Sequence, residues 1–298
     1  MNVKSKLSLV SLVCASLMIV FTTSISLAAP APDGNSVLIL EEVDGGSVYS
    51  TEAAGQGFTA VVVNAATWVT YTQEDFATFR AIIVGDPTCS SDIAMIASVE
   101  ANRALWSAAV GGPAGSNPKL LIGSDEQFHY GQGGDQLVSS GIAFVTSVAG
   151  QTGLYLSLSC YYHESSEGTP VPVLDELGAF TMGPVTGCFD DAHIVATHPA
   201  LEGITDDDLS GWGCSVHEVF NSFPASNFIP LAIAVDESGT GAMDFPDGTS
   251  GIPYILASGA GIQPTGETTP VPTLSVWMLF GLAGLLGLWG ALRVRRLQ

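Results

Sequence analysis

The sequence predicts an α/β domain built on a parallel sheet and flanked by two apolar termini. Short continuous apolar runs alternate with helical segments, at the spacing of strand–helix–strand units. The termini add an N-terminal signal peptide and a C-terminal transmembrane helix. Roughly 240 residues lie between them, enough for one large domain with a proper core or for two small ones, and we expect one.

Four early strands follow from runs typical of strands that are buried on both faces. Helices are expected between and after them, at residues 47–56, 73–79, 92–110 and 135–148. The second half of the domain is less regular, with candidate strands at residues 155–161, 193–196, 228–235 and 254–257. The four early strands are Ser36–Leu40, Thr59–Val63, Ala81–Val84 and Lys119–Ile122.

The N-terminus has the three parts of a secretory signal peptide. Lys4 and Lys6 precede an apolar stretch, and small residues close it at Ala28 and Ala29. Residues 1–29 are therefore expected to be a signal peptide that directs export of residues 30–262 by the secretion machinery. An uncleaved membrane anchor is the alternative.

The exported part is strongly acidic. The whole chain has a formal net charge of −21, and all 29 acidic residues lie between the two apolar ends, opposed there only by Arg80, Arg103 and Lys119. Such a field repels nucleic acid and anionic lipid headgroups. Solubility and the binding of cations are the two explanations for this charge.

The C-terminus has the length and flanks of a membrane anchor. At ~1.5 Å per residue, the uncharged residues 274–292 would span about 28 Å, close to the thickness of a bilayer's hydrocarbon core. Trp277 and Trp289 lie near the two ends, where tryptophan favours the interface. A basic end then keeps the C-terminus cytoplasmic, so the domain faces outward. That end carries Arg293, Arg295 and Arg296.

This tail resembles the IPTL-CTERM sorting signal of Gram-negative bacteria, whose motif usually reads I-P-T-L-S-E-W-G. The matching residues are Pro272, Thr273, Leu274, Ser275 and Trp277, with Val271, Val276 and Met278 in place of Ile, Glu and Gly. The resemblance implies an exosortase-like sorting enzyme as partner and retention at the cell surface. Residues 273–298 would form the signal, after a Pro/Thr-rich spacer at 263–272.

The domain itself resembles the class I glutamine amidotransferase-like fold, with a flavodoxin-like first half. The matching phrases are DFATFRAIIVGD, at residues 75–86, and ATHPALEGI, at residues 196–204. Catalytic members of that superfamily carry a cysteine on a G-x-C-x-G elbow. The corresponding segment here, residues 123–129, has no cysteine, which argues against amidotransferase activity.

Cysteine usage supports export. Without Cys14, which leaves with the signal peptide, Cys89, Cys160, Cys188 and Cys214 remain, and an even count predicts two disulfides with three connectivities. Cys188 and Cys214 are the nearest pair in sequence and our preferred one. Cys160 is also a candidate nucleophile, although a thiolate is disfavoured in so acidic a domain.

One set of polar residues predicts a ligand site. In open parallel sheets, ligands bind beyond the carboxyl ends of the strands. Acidic residues and one histidine follow the early strands, and together they suit a divalent cation or a polar ligand. Polar residues that merely begin loops are the alternative. The candidates are Glu42, Asp44, Asp86, Asp125 and His129.

Three functions remain open from the sequence. The first is a non-catalytic, surface-displayed module that binds a ligand or partner. The second is a secreted hydrolase, either metal-assisted or dependent on Cys160. The third is a structural envelope protein. The absence of a recognisable nucleophile elbow favours the first.

Overall fold

Nine strands of the described chain form the central sheet of the computed structural model. The structure describes residues 34–86, 93–162 and 165–259, without the side chains of residues 160, 186 and 188. The predicted signal peptide, spacer and sorting signal, and Cys89, lie outside the described residues. Within those residues no helix has the length and apolar character needed to cross a membrane.

Parallel strands make up one half of the sheet, in the order β2–β1–β3–β5–β4. The four predicted early strands agree with the structure at both ends. Their apolar runs are buried on both faces except in β2, which is the edge strand and is partly exposed. The bounds are Ser36–Leu40 (β1), Thr59–Val63 (β2), Ala81–Val84 (β3), Lys119–Ile122 (β4) and Gly153–Ser157 (β5).

Antiparallel strands make up the other half. β12 pairs with β4, β10 with β12 and β8 with β10, while the short strand β11 pairs with β12. Strand β4 therefore separates a parallel half from an antiparallel half, and its carboxyl end marks the change. The bounds are Ala192–Ile194 (β8), Ile229–Val235 (β10), Met243–Asp244 (β11) and Ser250–Ser258 (β12).

Helices α1 (Val48–Gly55) and α6 (Gly134–Val145) share the main hydrophobic core with one face of the sheet. The opposite face is buried too, since Leu38, Ile82 and Leu121 are inaccessible. Burial on both sides explains why these strands are continuous apolar runs rather than alternating ones. The other helices are α2 (Ala65–Trp68), α3 (Gln73–Phe76), α4 (Ala97–Ala101), α5 (Arg103–Ala109), α7 (Ser159–Tyr162) and α8 (Asp206–Leu209).

The helix predicted at residues 92–110 is interrupted. A 3-10 turn, Ile93–Ile96, precedes α4, and α4 ends before Asn102, whose φ of −117° is not helical. The Asn102 side chain accepts a hydrogen bond from Trp68 Nε1 (2.9 Å) and donates one to Trp68 O (3.0 Å). This side-chain pairing competes with the regular helix at that position.

A second, three-stranded antiparallel sheet has the order β6–β7–β9. Its strands are Thr169–Pro170 (β6), Thr181–Phe189 (β7) and Val216–Ser222 (β9). None of these three strands was predicted from the sequence. The candidate strand at residues 155–161 also differs, because β5 ends at Ser157 and α7 begins at Ser159.

Candidate metal centre

A backbone clamp at Gly123 brings the second sheet against the end of β4. Gly123 N donates to Tyr254 O of β12 (2.7 Å), and Gly123 O accepts from the backbone amides of His217 (3.3 Å) and Glu218 (3.1 Å). A Cβ atom at Gly123 would lie 2.3 Å from Glu218 O. Only glycine allows this approach, and the approach places β9 beside the residues that follow β4.

Three metal-ligating side chains meet at this junction. Asp125 Oδ1 lies 3.4 Å from His129 Nε2 and 3.2 Å from His217 Nε2, and the three ligand atoms all fall within 4.8 Å of one another. All three side chains are buried. Among the described residues, this is the one group of three or more acidic, histidine or cysteine side chains that could hold a metal ion.

The turn after β4 sets two of these ligands side by side. The backbone amides of Phe128 and His129 both donate to Asp125 O, at 2.9 Å and 3.3 Å. This helical turn puts residues i and i+4 on the same side of the chain. Asp125 and His129 therefore project together, and β9 supplies His217 from the opposite direction.

The separations suit a small divalent ion. Two ligands at ~2.0–2.1 Å from a tetrahedral zinc ion lie about 3.3 Å apart. The two measured separations from Asp125 Oδ1 bracket that value. Two histidines with one carboxylate are also the ligand set of catalytic zinc and of non-haem iron, in which further coordination positions stay open to water or substrate.

Hydrogen bonds orient His129. Its Nδ1 lies 3.1 Å from Gln132 Oε1, and Gln132 Nε2 donates to Trp212 O (3.2 Å). The imidazole also stacks on the Trp212 indole, with ring centroids 5.3 Å apart and an interplanar angle of 27°. The ring is thus held with Nε2 towards Asp125, as metal-binding histidines are held by partners outside the ligand set.

A buried carboxylate supports the same turn. Glu126 accepts hydrogen bonds from Tyr155 Oη (2.5 Å), Tyr49 Oη (3.0 Å) and Ser157 Oγ (3.0 Å). Burial raises the pKa of Glu126, and these donors oppose the rise. Desolvation also raises the pKa of both tyrosines, which therefore remain protonated donors. The network ties the turn to α1 and β5.

Basic side chains of the described chain are placed elsewhere. Arg80 and Lys119 lie at the amino ends of β3 and β4, opposite the site, and Arg103 pairs with Asp175 at 3.8 Å. Asp125, Glu126 and Glu218 are fully buried, and Glu126 and Glu218 directly follow the candidate ligands Asp125 and His217 in the chain. A bound divalent cation would offset part of the desolvation cost of this negative charge.

Two of the five predicted ligands, Asp125 and His129, belong to this group, and the other three do not. Glu42 and Asp44 have other hydrogen-bond partners: Glu42 Oε1 accepts from Ala65 N (2.8 Å), and Asp44 accepts from Ser50 N (3.0 Å) and Ser50 Oγ (2.6 Å). Asp86 is fully buried, and its backbone amide donates to Tyr49 Oη (3.4 Å), the hydroxyl that also reaches Glu126.

Sequence reasoning missed His217. The segment Val216–Ser222 contains His, Glu and Asn at buried positions, so it lacks the apolar pattern of a core strand. The residue types in this segment were the one sequence signal that pointed to it. A His-Glu pair between apolar residues is costly to bury unless its side chains are hydrogen-bonded, ion-paired or bound to a metal.

The candidate nucleophile Cys160 lies in α7, immediately after the buried strand β5. The prediction that Cys160 lies in a strand, at residues 155–161, is therefore wrong. The structure does not describe the Cys160 side chain. Cys214 forms a disulfide. The side chains of Cys89 and Cys188 are likewise not described, so the preferred Cys188–Cys214 pairing stays a prediction.

A separate surface depression surrounds His198 and lies away from these ligands. It is lined by residues of β8 and of the following 3-10 turn, Pro199–Leu201. Burial lowers the pKa of His198 to about 4, so the ring is neutral, and its Nδ1 accepts from Ala200 N (3.1 Å). His198 therefore caps the 3-10 turn that follows it, which is a structural role.

Comparison of the chain with protein-family models, with curated proteins and with solved structures gives no match.

Proposed function

We propose that the protein is an exported envelope protein whose folded domain binds a divalent transition-metal ion through Asp125, His129 and His217. One observation carries the proposal, namely the convergence of three buried ligand atoms within 4.8 Å of one another. Asp125 and His129 come from the turn after β4 and His217 comes from β9, so the group forms only in the folded domain.

The ligand chemistry selects the class of metal. Imidazole nitrogen suits zinc, iron, nickel and copper, whereas calcium and magnesium prefer oxygen ligands. Two nitrogens and one carboxylate oxygen therefore favour Zn²⁺ or Fe²⁺. Ligand or partner binding at the cell surface is the role that fits a non-catalytic module of this kind.

A metal-assisted hydrolase is the second candidate. The supporting observation is the number of ligands, because three protein ligands are typical of catalytic rather than structural zinc. A metal bound here would supply Lewis-acid chemistry. Asp125, His129 and His217 would hold the ion, Gln132 and Trp212 would orient the His129 ring, and burial would exclude bulk water.

We also propose which kind of α/β fold the domain has. A flavodoxin-like or class I glutamine amidotransferase-like arrangement is supported by the parallel order β2–β1–β3 and by helices at the sheet. The site lies at the carboxyl end of β4, where such sheets bind ligands. Fold alone does not give activity.

Export and sorting rest on the two termini. The signal-peptide pattern and the sorting-signal resemblance support secretion, exosortase-like recognition and display on a Gram-negative cell surface. The Cys214 disulfide supports an oxidising compartment. Deletion of residues 273–298 should release the protein into the medium. Cytoplasmic retention of the intact chain, with all thiols reduced, would contradict export.

Zinc titration of the full chain tests the metal site. Competition with a chromogenic chelator should give one site per chain in the wild type. His217→Ala should weaken it by at least about 100-fold, since losing a ligand exceeds the usual effect of losing an outer partner. His193→Ala, a matched change at a surface histidine, should leave it unchanged. Absence of saturable binding of Zn²⁺, Fe²⁺ or Co²⁺ to the wild type would refute the proposal.

A further inference from the structure

Gln132 lies in a glycine-rich turn that folds back over the candidate metal ligand His129. Gly131 and Gly133 on either side have φ values of 94° and 125°, which favour glycine. Gln132 N donates to His129 O (2.9 Å), which closes the turn. Its single non-glycine member contacts a candidate ligand.

The contacts of Gln132 fix its amide orientation. Gln132 Nε2 lies 3.2 Å from Trp212 O, and a backbone carbonyl can only accept. Gln132 Oε1 therefore faces His129, and this oxygen also can only accept. His129 Nδ1, 3.1 Å away, must then carry the proton. The hydrogen-bond network thus assigns the Nδ1–H tautomer to His129.

The consequence falls on the other ring nitrogen. With the proton on Nδ1, a neutral His129 presents an Nε2 lone pair 3.4 Å from Asp125 Oδ1, which is also an acceptor. Two acceptors at that distance repel each other unless a proton or a metal ion lies between them. A metal ion shared by the two atoms would meet this requirement.

We propose that Gln132 is a positioning residue that holds His129 in the Nδ1–H tautomer and so presents Nε2 as a metal ligand. The part that concerns metal affinity rests on the proposed function. The tautomer assignment stands on the hydrogen bonds alone.

Trp212 completes the arrangement from the opposite side. Trp212 Nε1 donates to Asp208 O (3.1 Å), and its backbone amide donates to Ser215 Oγ (3.1 Å). The indole is thereby fixed while its face stacks on His129 and its carbonyl holds Gln132. Trp212 thus orients the His129 ring by stacking on it, and it fixes the amide of Gln132 that determines the His129 tautomer.

The position of Gln132 makes the proposal testable. Gln132 is exposed, so a change there opens no cavity in the core. Gln132→Leu removes the acceptor at similar size. Gln132→Glu keeps an acceptor for Nδ1 but gives up the bond to Trp212. Gln151→Leu is the matched control, because Gln151 precedes β5 at the opposite end of the sheet and bonds Ser116 Oγ (3.2 Å).

Long-range ¹H–¹⁵N NMR of the metal-free full chain reads the tautomer directly. The His129 signal would be assigned by its loss in His129→Asn and recorded at a pH where the ring is neutral. We expect protonated Nδ1 in the wild type, Gln132→Glu and Gln151→Leu, and a shift towards Nε2–H in Gln132→Leu. A wild-type ring protonated on Nε2, or a Gln132→Leu spectrum equal to the wild type, would overturn the assignment.

Zinc titration of the same four proteins measures the effect of each change on metal affinity. Gln132→Leu should bind Zn²⁺ about 10- to 100-fold more weakly than the wild type, and Gln132→Glu within a few-fold of it. Equal affinities of Gln132→Leu and wild type would overturn the positioning role. Failure of the wild type to bind Zn²⁺, with the tautomer as expected, would instead refute the metal site and leave the orientation of His129 established.

Discussion

His217 Nε2 of strand β9 lies 3.2 Å from Asp125 Oδ1 of the turn after β4, although the two residues are far apart in the chain. Both side chains are buried. The contact between His217 and Asp125 depends on how β9 meets the end of β4.

Gly123→Ala should damage the junction. The added Cβ would lie 2.3 Å from Glu218 O, so β9 must move away from β4 and carry His217 with it. We expect weaker zinc binding and a loss of about 1–3 kcal/mol in the free energy of unfolding, typical of an overpacked site. Zinc titration and urea unfolding would measure the two effects.

Gly55→Ala provides the control for that change. A Cβ at Gly55, in α1, meets no atom within 4 Å, and the residue does not have positive φ. Stability should therefore be equal to the wild type or slightly higher. If Gly123→Ala matched Gly55→Ala in both measurements, the close approach would not matter to the site.

Tyr155→Phe should weaken the network that supports the turn. The change removes the donor 2.5 Å from Glu126 Oε1 and leaves a buried carboxylate with fewer partners. The expected loss is about 1–3 kcal/mol of unfolding free energy. Tyr130→Phe, at an exposed tyrosine, should change stability by less than about 0.5 kcal/mol. Equal effects of the two variants would argue against a stabilising role for the bond.

Lys119 should make stability rise with pH in the alkaline range. Its Nζ is buried at the start of β4, where it donates to Gly115 O (3.1 Å) and Asn117 O (3.2 Å). Burial lowers the pKa of Lys119 from 10.5 to about 8. Between these values the unfolded chain keeps a proton that the folded chain has lost, so raising the pH favours folding by up to about 3 kcal/mol.

Lys119→Met isolates that contribution. The difference in unfolding free energy between wild type and variant should move in favour of the wild type as pH rises from about 8 to 10.5. Urea unfolding of both proteins at several pH values measures it, and ionisation of the tyrosines cancels in the difference. A difference that does not change with pH would contradict the assignment.

His193 should stabilise the fold at acidic rather than alkaline pH. Its Nδ1 lies 2.6 Å from Asp206 Oδ2 and its Nε2 lies 3.1 Å from Asp247 Oδ2. The hydrogen bond with Asp206 is the main reason why the pKa of His193 is raised above 6.5. The stabilisation is complete below the unfolded value of 6.5 and disappears as pH rises through the folded value.

His193→Gln should therefore lose more stability at pH 5.5 than at pH 8.5. The site is partly exposed, so the difference should stay below about 1 kcal/mol. Urea unfolding at the two pH values measures it, and Asp247→Asn, which removes one partner, should show a smaller change in the same direction. Losses that are equal at both pH values would show that protonation of His193 is not involved.

The sequence predicted the parallel half of the sheet because its signal is local. Runs such as Ser36–Leu40 and Lys119–Ile122 are apolar throughout, and only strands covered on both faces have that pattern. Asp125 and His129 could be predicted as site residues for a related reason. They follow β4 directly, and the carboxyl ends of parallel strands gather ligands.

The remainder of the site depends on tertiary contacts that leave little trace in local sequence. Strand β9 has buried His, Glu and Asn residues that mask its strand character, and its place beside β4 follows from the lack of a side chain at Gly123. Gln132 sits between glycines in a turn, and its role follows only once Trp212 and His129 are located. The sequence pattern therefore predicted two of the three candidate metal ligands, Asp125 and His129.

Anomalous diffraction at the zinc absorption edge, from crystals of the protein grown with Zn²⁺, would locate a bound ion and its ligands. We expect one peak about 2.0–2.2 Å from His129 Nε2, His217 Nε2 and an Asp125 carboxylate oxygen. A peak bound by other residues, or no peak with His217 Nε2 hydrogen-bonded to Asp125 Oδ1, would contradict it.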